Sequence, residues 1–180
     1  MQHKRTLAFI GAGNMSRSII AGLIQAGYPA ERIIAANPSR PKLDELADQF
    51  GIRITQNNAE AAREADVIVL AVKPQLMAAM LEALVAELGS LAGKLLISIA
   101  AGIKVERLQE MAGGHSRIIR TMPNTPSLLG LGMTGLYAPT GIEQADRDFA
   151  EQMMQAVGKT LWVAQESGIN GVIAAAGSAP

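Results

Sequence analysis

A doubly wound α/β fold, a mainly parallel sheet with helices on both faces, is what this 180-residue sequence predicts. Three observations point there. Several short runs are almost wholly apolar, such as Val67-Ile68-Val69-Leu70-Ala71-Val72. A strand without polar alternation is one covered on both faces, as in a parallel sheet. Such runs alternate with stretches of helical periodicity, which gives βαβ units with right-handed crossovers. The first run ends in Gly11-Ala12-Gly13-Asn14-Met15 and a helix pattern follows. That is the strand–turn–helix of a Rossmann-type nucleotide-binding domain.

Taken in order, the apolar runs predict strands over residues 6–10, 32–36, 53–55, 66–72, 94–100 and 117–121. Helical spacing of apolar residues predicts helices over 15–26, 41–50, 75–88 and 105–111. Pro41 opens the second of these, where its missing N–H costs nothing. The later part is less regular. Strands at 136–138 and 160–163 flank a helix at 143–157, and a very apolar helix starts after Ser167. Met77, Met80, Met153 and Met154 fall within helical patterns and read as core filler.

Composition bounds the function. Hydrophobic residues make up 49% and charged residues 18%, which suits a large core and argues against disorder. Sixteen Lys and Arg balance sixteen Asp and Glu, so no basic field draws nucleic acid or an anionic membrane. Cysteine is absent, which excludes disulfides, thiolate catalysis and Cys-based metal sites and fits a cytoplasmic protein. His3 and His115 stand alone and read as solvated, so no metal site is expected. Basic residues precede the first apolar run, but Gly11 breaks that run too early for a secretory leader. The longest uncharged stretch, 121–142, holds three prolines and four glycines and is no membrane span.

The motifs carry the chemistry. Gly11 permits the tight turn, and Gly13 lets the backbone approach a pyrophosphate at the helix N-terminus. Ser16 stands where a third glycine is usual, and a small residue suffices there. The second strand ends in Ala36-Asn37-Pro38-Ser39-Arg40, without the acid that holds the ribose of NAD. Asn37 and Ser39 offer hydrogen bonds, and Arg40 offers a fork for a 2′-phosphate. NADP(H) is therefore the expected cofactor, with NAD(H) second. Lys73 ends a strand, where its ammonium seeks water or an anion. The small residues of Ser98-Ile99-Ala100-Ala101-Gly102 leave room for a flat ring. Pro123 and Pro126 stiffen a loop that holds Asn124 and Thr125 beyond another strand.

Together, Phe9-Ile10-Gly11-Ala12-Gly13-Asn14-Met15, Ala71-Val72-Lys73-Pro74-Gln75, Ser98-Ile99-Ala100-Ala101-Gly102 and Met122-Pro123-Asn124-Thr125-Pro126 resemble the pyrroline-5-carboxylate reductases. The resemblance implies reduction of 1-pyrroline-5-carboxylate to L-proline by hydride transfer from NADPH, a step of proline biosynthesis. It implies that the turn Gly11 to Met15, with Ile10 before it, binds the pyrophosphate. It also implies that Asn37 and Ser39, next to Arg40, meet the adenosine ribose and its 2′-phosphate, and that Asn58 contacts the cofactor. Ala71, Val72, Lys73 and Pro74, with Ala100, Ala101 and Gly102, would line the path to the nicotinamide. Asn124, Thr125, Glu166 and Ser178 would lie near substrate. The family's next motif is close to Ser-Gly-Ser-Gly-Pro, and here it reads Ala176-Gly177-Ser178-Ala179-Pro180. The expected division is a cofactor domain over 1–165 and, over 166–180, the start of a helical dimerisation domain that is otherwise absent. The complete protein is expected to be a homodimer or a higher homo-oligomer. None of these residues reads as a general acid, so catalytic residues are left unassigned. Two other readings remain: a β-hydroxyacid-dehydrogenase-like enzyme, and a module that binds NADP without catalysis. The first needs a lysine donor on a later helix, and the Met122 to Pro126 motif speaks against it.

Overall fold

The computed structural model describes residues 5–124 and 132–172. Eight strands form one sheet: β1 (Leu7–Ile10), β2 (Ile33–Ala36), β3 (Arg53–Thr55), β4 (Val67–Leu70), β5 (Leu95–Ser98), β6 (Ile118–Met122), β7 (Gly132–Tyr137) and β8 (Gly158–Trp162). Their spatial order is β3-β2-β1-β4-β5-β6-β7-β8. Every neighbouring pair is parallel except β6 and β7.

The helices explain why the central strands are apolar throughout. Side chains of a strand alternate between the two faces of the sheet. Leu7, Phe9, Val67, Val69, Leu95 and Ile97 point to one face, where they pack with α1 (Asn14–Gln25), α2 (Arg40–Phe50) and α6 (Gln144–Gln155). Ala8, Ile10, Ile68, Leu70 and Leu96 point to the other, against α3 (Asn58–Glu64), α4 (Pro74–Leu88) and α5 (Val105–Met111). Met77, Met80, Met153 and Met154 are all buried, as their spacing predicts.

The Rossmann-type α/β class holds, with differences at the edges of elements. Residues 71 and 72 lie beyond β4: the Ala71 amide makes the last bond to β1, to the Ile10 carbonyl at 2.9 Å, and the chain then turns into α4. β5 is likewise shorter than expected, ending at Ser98. Helix α3 was not expected. Its start was legible all the same: the Asn57 side chain accepts from the Glu60 amide at 3.2 Å, and Asn with an acid three residues on is a helix-opening pattern. β7 is six residues long rather than the three expected. Its glycines hid it, and tertiary packing crowds one of them. A Cβ on Gly135 would stand 3.1 Å from Ile169 and 3.3 Å from Val172, both buried in the segment leading from β8. That segment is a 3₁₀ turn at Glu166–Gly168 followed by helix at 169–172, where an apolar helix is expected.

His115 is half-buried rather than solvated. Its Nε2 lies 2.8 Å from the Lys94 carbonyl, at the end of the sheet away from the strands' carboxyl ends. His3 lies outside the described residues.

Candidate functional site

Gly11 sits where three strand ends meet. Its amide donates to the Ala36 carbonyl of β2 at 2.9 Å. Its φ is +109°, and a Cβ there would stand 2.6 Å from the Ala71 carbonyl oxygen. Backbone therefore touches backbone, and no side chain fits. Ser16 shows why glycine is dispensable at the third position. Its hydroxyl is buried and donates to the Gly11 carbonyl at 2.8 Å, tying the helix back onto the turn.

Gly13 is a different kind of glycine. Its φ of −81° suits any residue, and no atom lies within 4 Å of a Cβ built there. Nothing inside the chain demands glycine at 13. The open space lies over the start of α1, whose N-cap has no side-chain hydrogen bond and whose first turn has no acid. Unpaired amides and the positive end of the helix dipole face that space. It is a cradle for an anionic group that a side chain would fill, which is what a dinucleotide pyrophosphate needs. Ile10 is buried at the end of β1, Ala12 is buried in the turn, and Asn14 and Met15 begin α1.

The end of β2 is braced against this turn. Asn37 Oδ1 accepts from the Ala12 amide at 3.3 Å, and Nδ2 donates to both the carbonyl and the hydroxyl of Ser39 at 3.2 Å. Asn37 thus spends its side chain on holding two loops together. Ser39 and Arg40 are the exposed pair at the head of α2. Arg40 bonds Asp44, one turn along, at 2.7 Å. Asn58 begins α3 beside a cleft of about 310 Å³ bounded by Pro38, Gln56, Asn57 and the α4 residues Met80 and Ala83.

Beyond β1 the same sheet edge continues over β4 and β5. Ala71 and Val72 are half-buried, while Lys73 and Pro74 at the head of α4 are exposed. Lys73 reaches solvent on the edge where ligands of open α/β sheets bind. Ala100 is buried, Ala101 and Gly102 are exposed, and Gly102 turns the loop with φ +80°. Ser98 fixes the loop's start: its hydroxyl accepts from the Ala100 amide at 3.2 Å, and its carbonyl accepts from Thr121 Oγ1 at 2.9 Å.

Asn124 follows β6, and its Oδ1 accepts from the Met133 amide at 3.1 Å. Thr125 and Ser178 lie outside the described residues. Glu166 comes to the same edge from the far end of the chain. Its Oε2 accepts from the Val105 amide at 2.8 Å and from Arg120 Nη1 at 3.0 Å. Arg120 is the residue that sequence reasoning passed over. It lies on β6 and is 4% exposed. The available signal was an arginine after Ile118-Ile119 in a strand whose neighbours are apolar. Among the described residues, no three His, Asp or Glu side chains gather as a metal site demands. No described helix is long and apolar enough to cross a membrane.

The opposite end of the sheet carries a separate ionic cluster. Asp146 of α6 is 1% exposed and accepts from Arg5 at 2.9 Å and from Arg117 at 2.6 and 2.9 Å. Burial pushes its carboxyl up, but the hydrogen bonds and charges of Arg117 and Arg5 outweigh burial and hold it below the usual carboxylate range.

Comparison with known proteins agrees with this geometry. A family described as NADP oxidoreductase coenzyme F420-dependent matches residues 6–102. A pyrroline-5-carboxylate reductase of Vibrio alginolyticus is 55% identical over the whole chain. The chain spans 65% of that relative's length. The solved pyrroline-5-carboxylate reductase of Coxiella burnetii superposes with a TM-score of 0.92 at 40% identity, covering 98% of this chain and 65% of that one. The Plasmodium falciparum pyrroline carboxylate reductase, solved with NADP bound, superposes with a TM-score of 0.82 at 27% identity, covering 98% and 64%. The glycine turn, the βαβ units behind it and the matched span from β1 to the loop after β5 establish that the chain belongs to the family of NADP oxidoreductases, coenzyme F420-dependent.

Proposed function

We propose that the chain is the cofactor-binding part of a pyrroline-5-carboxylate reductase. In this reading the enzyme reduces 1-pyrroline-5-carboxylate to L-proline with NADPH, or less readily NADH. The observation that carries it is the head of α1, where the N-cap Gly13 puts no side chain over the helix amides and no side-chain cap competes for them. The similarity to reductases over the whole length supports the choice of reaction.

Bound NADPH would supply the hydride. The chain's own part is to bind and orient. Amides at the head of α1 receive the pyrophosphate, and Gly11 keeps the turn tight against β4. Asn37 fixes the adenosine-side loop, which presents Ser39 and Arg40 to a 2′-phosphate. Arg40 must share its fork with Asp44, so the preference for NADP(H) is moderated rather than absolute. With the pyrophosphate over β1 and the adenosine toward β2, the nicotinamide end runs the other way, over β4 and β5. There Ala71 to Pro74 and Ala100 to Gly102 present small side chains and backbone to a flat ring. Precise placement of hydride donor and acceptor is the main catalytic contribution such a site makes.

Residues 1–165 form the cofactor domain in this reading, and 166–180 begin a helical domain through which the complete protein forms a homodimer or larger homo-oligomer. The burial of Ile169 and Val172 against Gly135 supports a helix that leaves the sheet in a fixed direction. A reducing cytoplasm suits a chain without cysteine. The test is titration with NADPH and NADH, followed by the loss of reduced-nicotinamide absorbance with 1-pyrroline-5-carboxylate in the complete protein. NADPH binding and turnover are expected. No binding of either nucleotide at millimolar concentration would refute the cofactor assignment, and binding without turnover would leave a nucleotide module and refute the reductase.

A further inference from the structure

Arg120 presents an energetic problem that packing alone does not solve. It stands opposite Ser98 of β5 and Tyr137 of β7 within the sheet. Its side chain is 5% exposed, and its Nε is buried without a hydrogen-bond partner among the described residues. Burying a guanidinium this way is costly, and an apolar residue of similar volume often serves stability as well or better. What the arginine does accomplish is to hold Glu166. That carboxylate uses one oxygen, Oε2, for both Arg120 Nη1 and the Val105 amide.

Val105 is where the loop after β5 ends and α5 begins. The loop is therefore pinned at both ends. Ser98 holds its start through the Ala100 amide, and Glu166 holds its end. Between the two pins, Ala101, Gly102 and Lys104 are exposed, and Ile103 is buried. Glu166 also opens the segment that continues into the helix at 169–172. One carboxylate thus fixes the loop and the departing chain to the same strand end.

We infer that Glu166 and Arg120 form an ionic tie whose function is to position residues 100–102 against the nicotinamide half of the cofactor. Glu166 is in this account a positioning residue and not a proton donor. The inference rests on the cofactor reading above, which places the nicotinamide end over β4 and β5.

The test compares two ligands on the same chain: NADPH, and 2′-phospho-ADP-ribose, which lacks only the nicotinamide. Affinities are measured by calorimetric titration for the wild type, E166Q, R120M and R120K. E166Q keeps the shape of the side chain and weakens the charge-assisted bonds. It is expected to weaken NADPH about tenfold and to leave 2′-phospho-ADP-ribose within about twofold, since the loss falls on one end of the cofactor only. R120M is expected to match E166Q, and R120K, which restores the charge, to recover most of the NADPH affinity. Equal losses for the two ligands would mean general destabilisation and overturn the inference, as would no loss for either. Equal affinity of the wild type for both ligands would also overturn it, because the loop would then make no use of the nicotinamide. Failure of the wild type to bind either ligand would refute the cofactor reading instead. Should R120M not fold, E166Q and R120K still decide the outcome.

Discussion

Two glycines two positions apart do opposite things. Gly11 is required by the fold, since its positive φ and its contact with the Ala71 carbonyl leave no room for a methyl group. Gly11→Ala should lower stability by about 1–3 kcal/mol, the usual cost of forcing strained backbone, with chemical denaturation as the measure. Gly13 has ordinary backbone angles and open space around it. Gly13→Ala should change stability by no more than about 1 kcal/mol, because the freedom lost by the unfolded chain offsets alanine's poorer fit as the N-cap of α1. The same substitution should weaken NADPH, as the methyl group enters the volume kept for phosphate. A destabilised Gly13→Ala with intact binding would show that the space serves the fold. At the neighbouring loop, Ser39→Asp should weaken NADPH more than NADH in parallel titrations, through repulsion of the 2′-phosphate. Equal losses would show that this loop does not read the 2′ position. These local features were legible: the glycine spacing, the missing acid after β2 and the small residues after β5 all stand in short segments. The true partner of Arg40 was also in reach, since Asp44 lies one helical turn away.

Among elements, α6 shows how a helix is anchored at the edge remote from the site. Asp146 lies in its first turn and joins Arg5, just before β1, to Arg117, just before β6. Removing the carboxylate leaves two guanidinium groups facing a buried gap. Asp146→Asn should cost about 3 kcal/mol at neutral pH, near the lower end for broken buried pairs because both arginines are partly exposed. The pH dependence has a definite sign. The folded carboxyl is held below its ordinary range, so its contribution is complete above the unfolded pKa and is lost as pH falls through the folded one. Urea denaturation between about pH 5 and pH 2 should therefore show wild-type stability falling more steeply than that of Asp146→Asn. Parallel slopes would mean that the cluster does not depress this carboxyl. NADPH binding should be unaffected, because the cluster and the glycine turn occupy opposite ends of the sheet.

For the whole molecule, cofactor and fold are linked by mass action. A ligand that binds only the folded state adds about 2.7 kcal/mol when present at a hundred times its Kd. In a chain of this size that corresponds to a rise in Tm of roughly 5–10 °C. A thermal melt with saturating NADPH is the measurement, and no shift with either nicotinamide cofactor would contradict the proposed function.

What the sequence determined by itself was the doubly wound sheet and its phosphate turn. Both follow from local chemistry: Val67 to Leu70 are apolar because both faces are covered, and Gly11 is glycine because backbone meets backbone. What only the tertiary structure decided were the reversed direction of β7 and the two ionic clusters. β7 carries glycine at 135, where a helix segment more than thirty residues later packs closely across it, and its glycines make its pattern look like loop. Glu166 reaches Arg120 across 46 residues and Val105 across 61, and Asp146 reaches Arg5 across 141. Hydrophobic periodicity reports on the nearest turns of chain only. A charge that is satisfied by a distant partner looks, along the sequence, like any other charge, and only the folded sheet brings the two together.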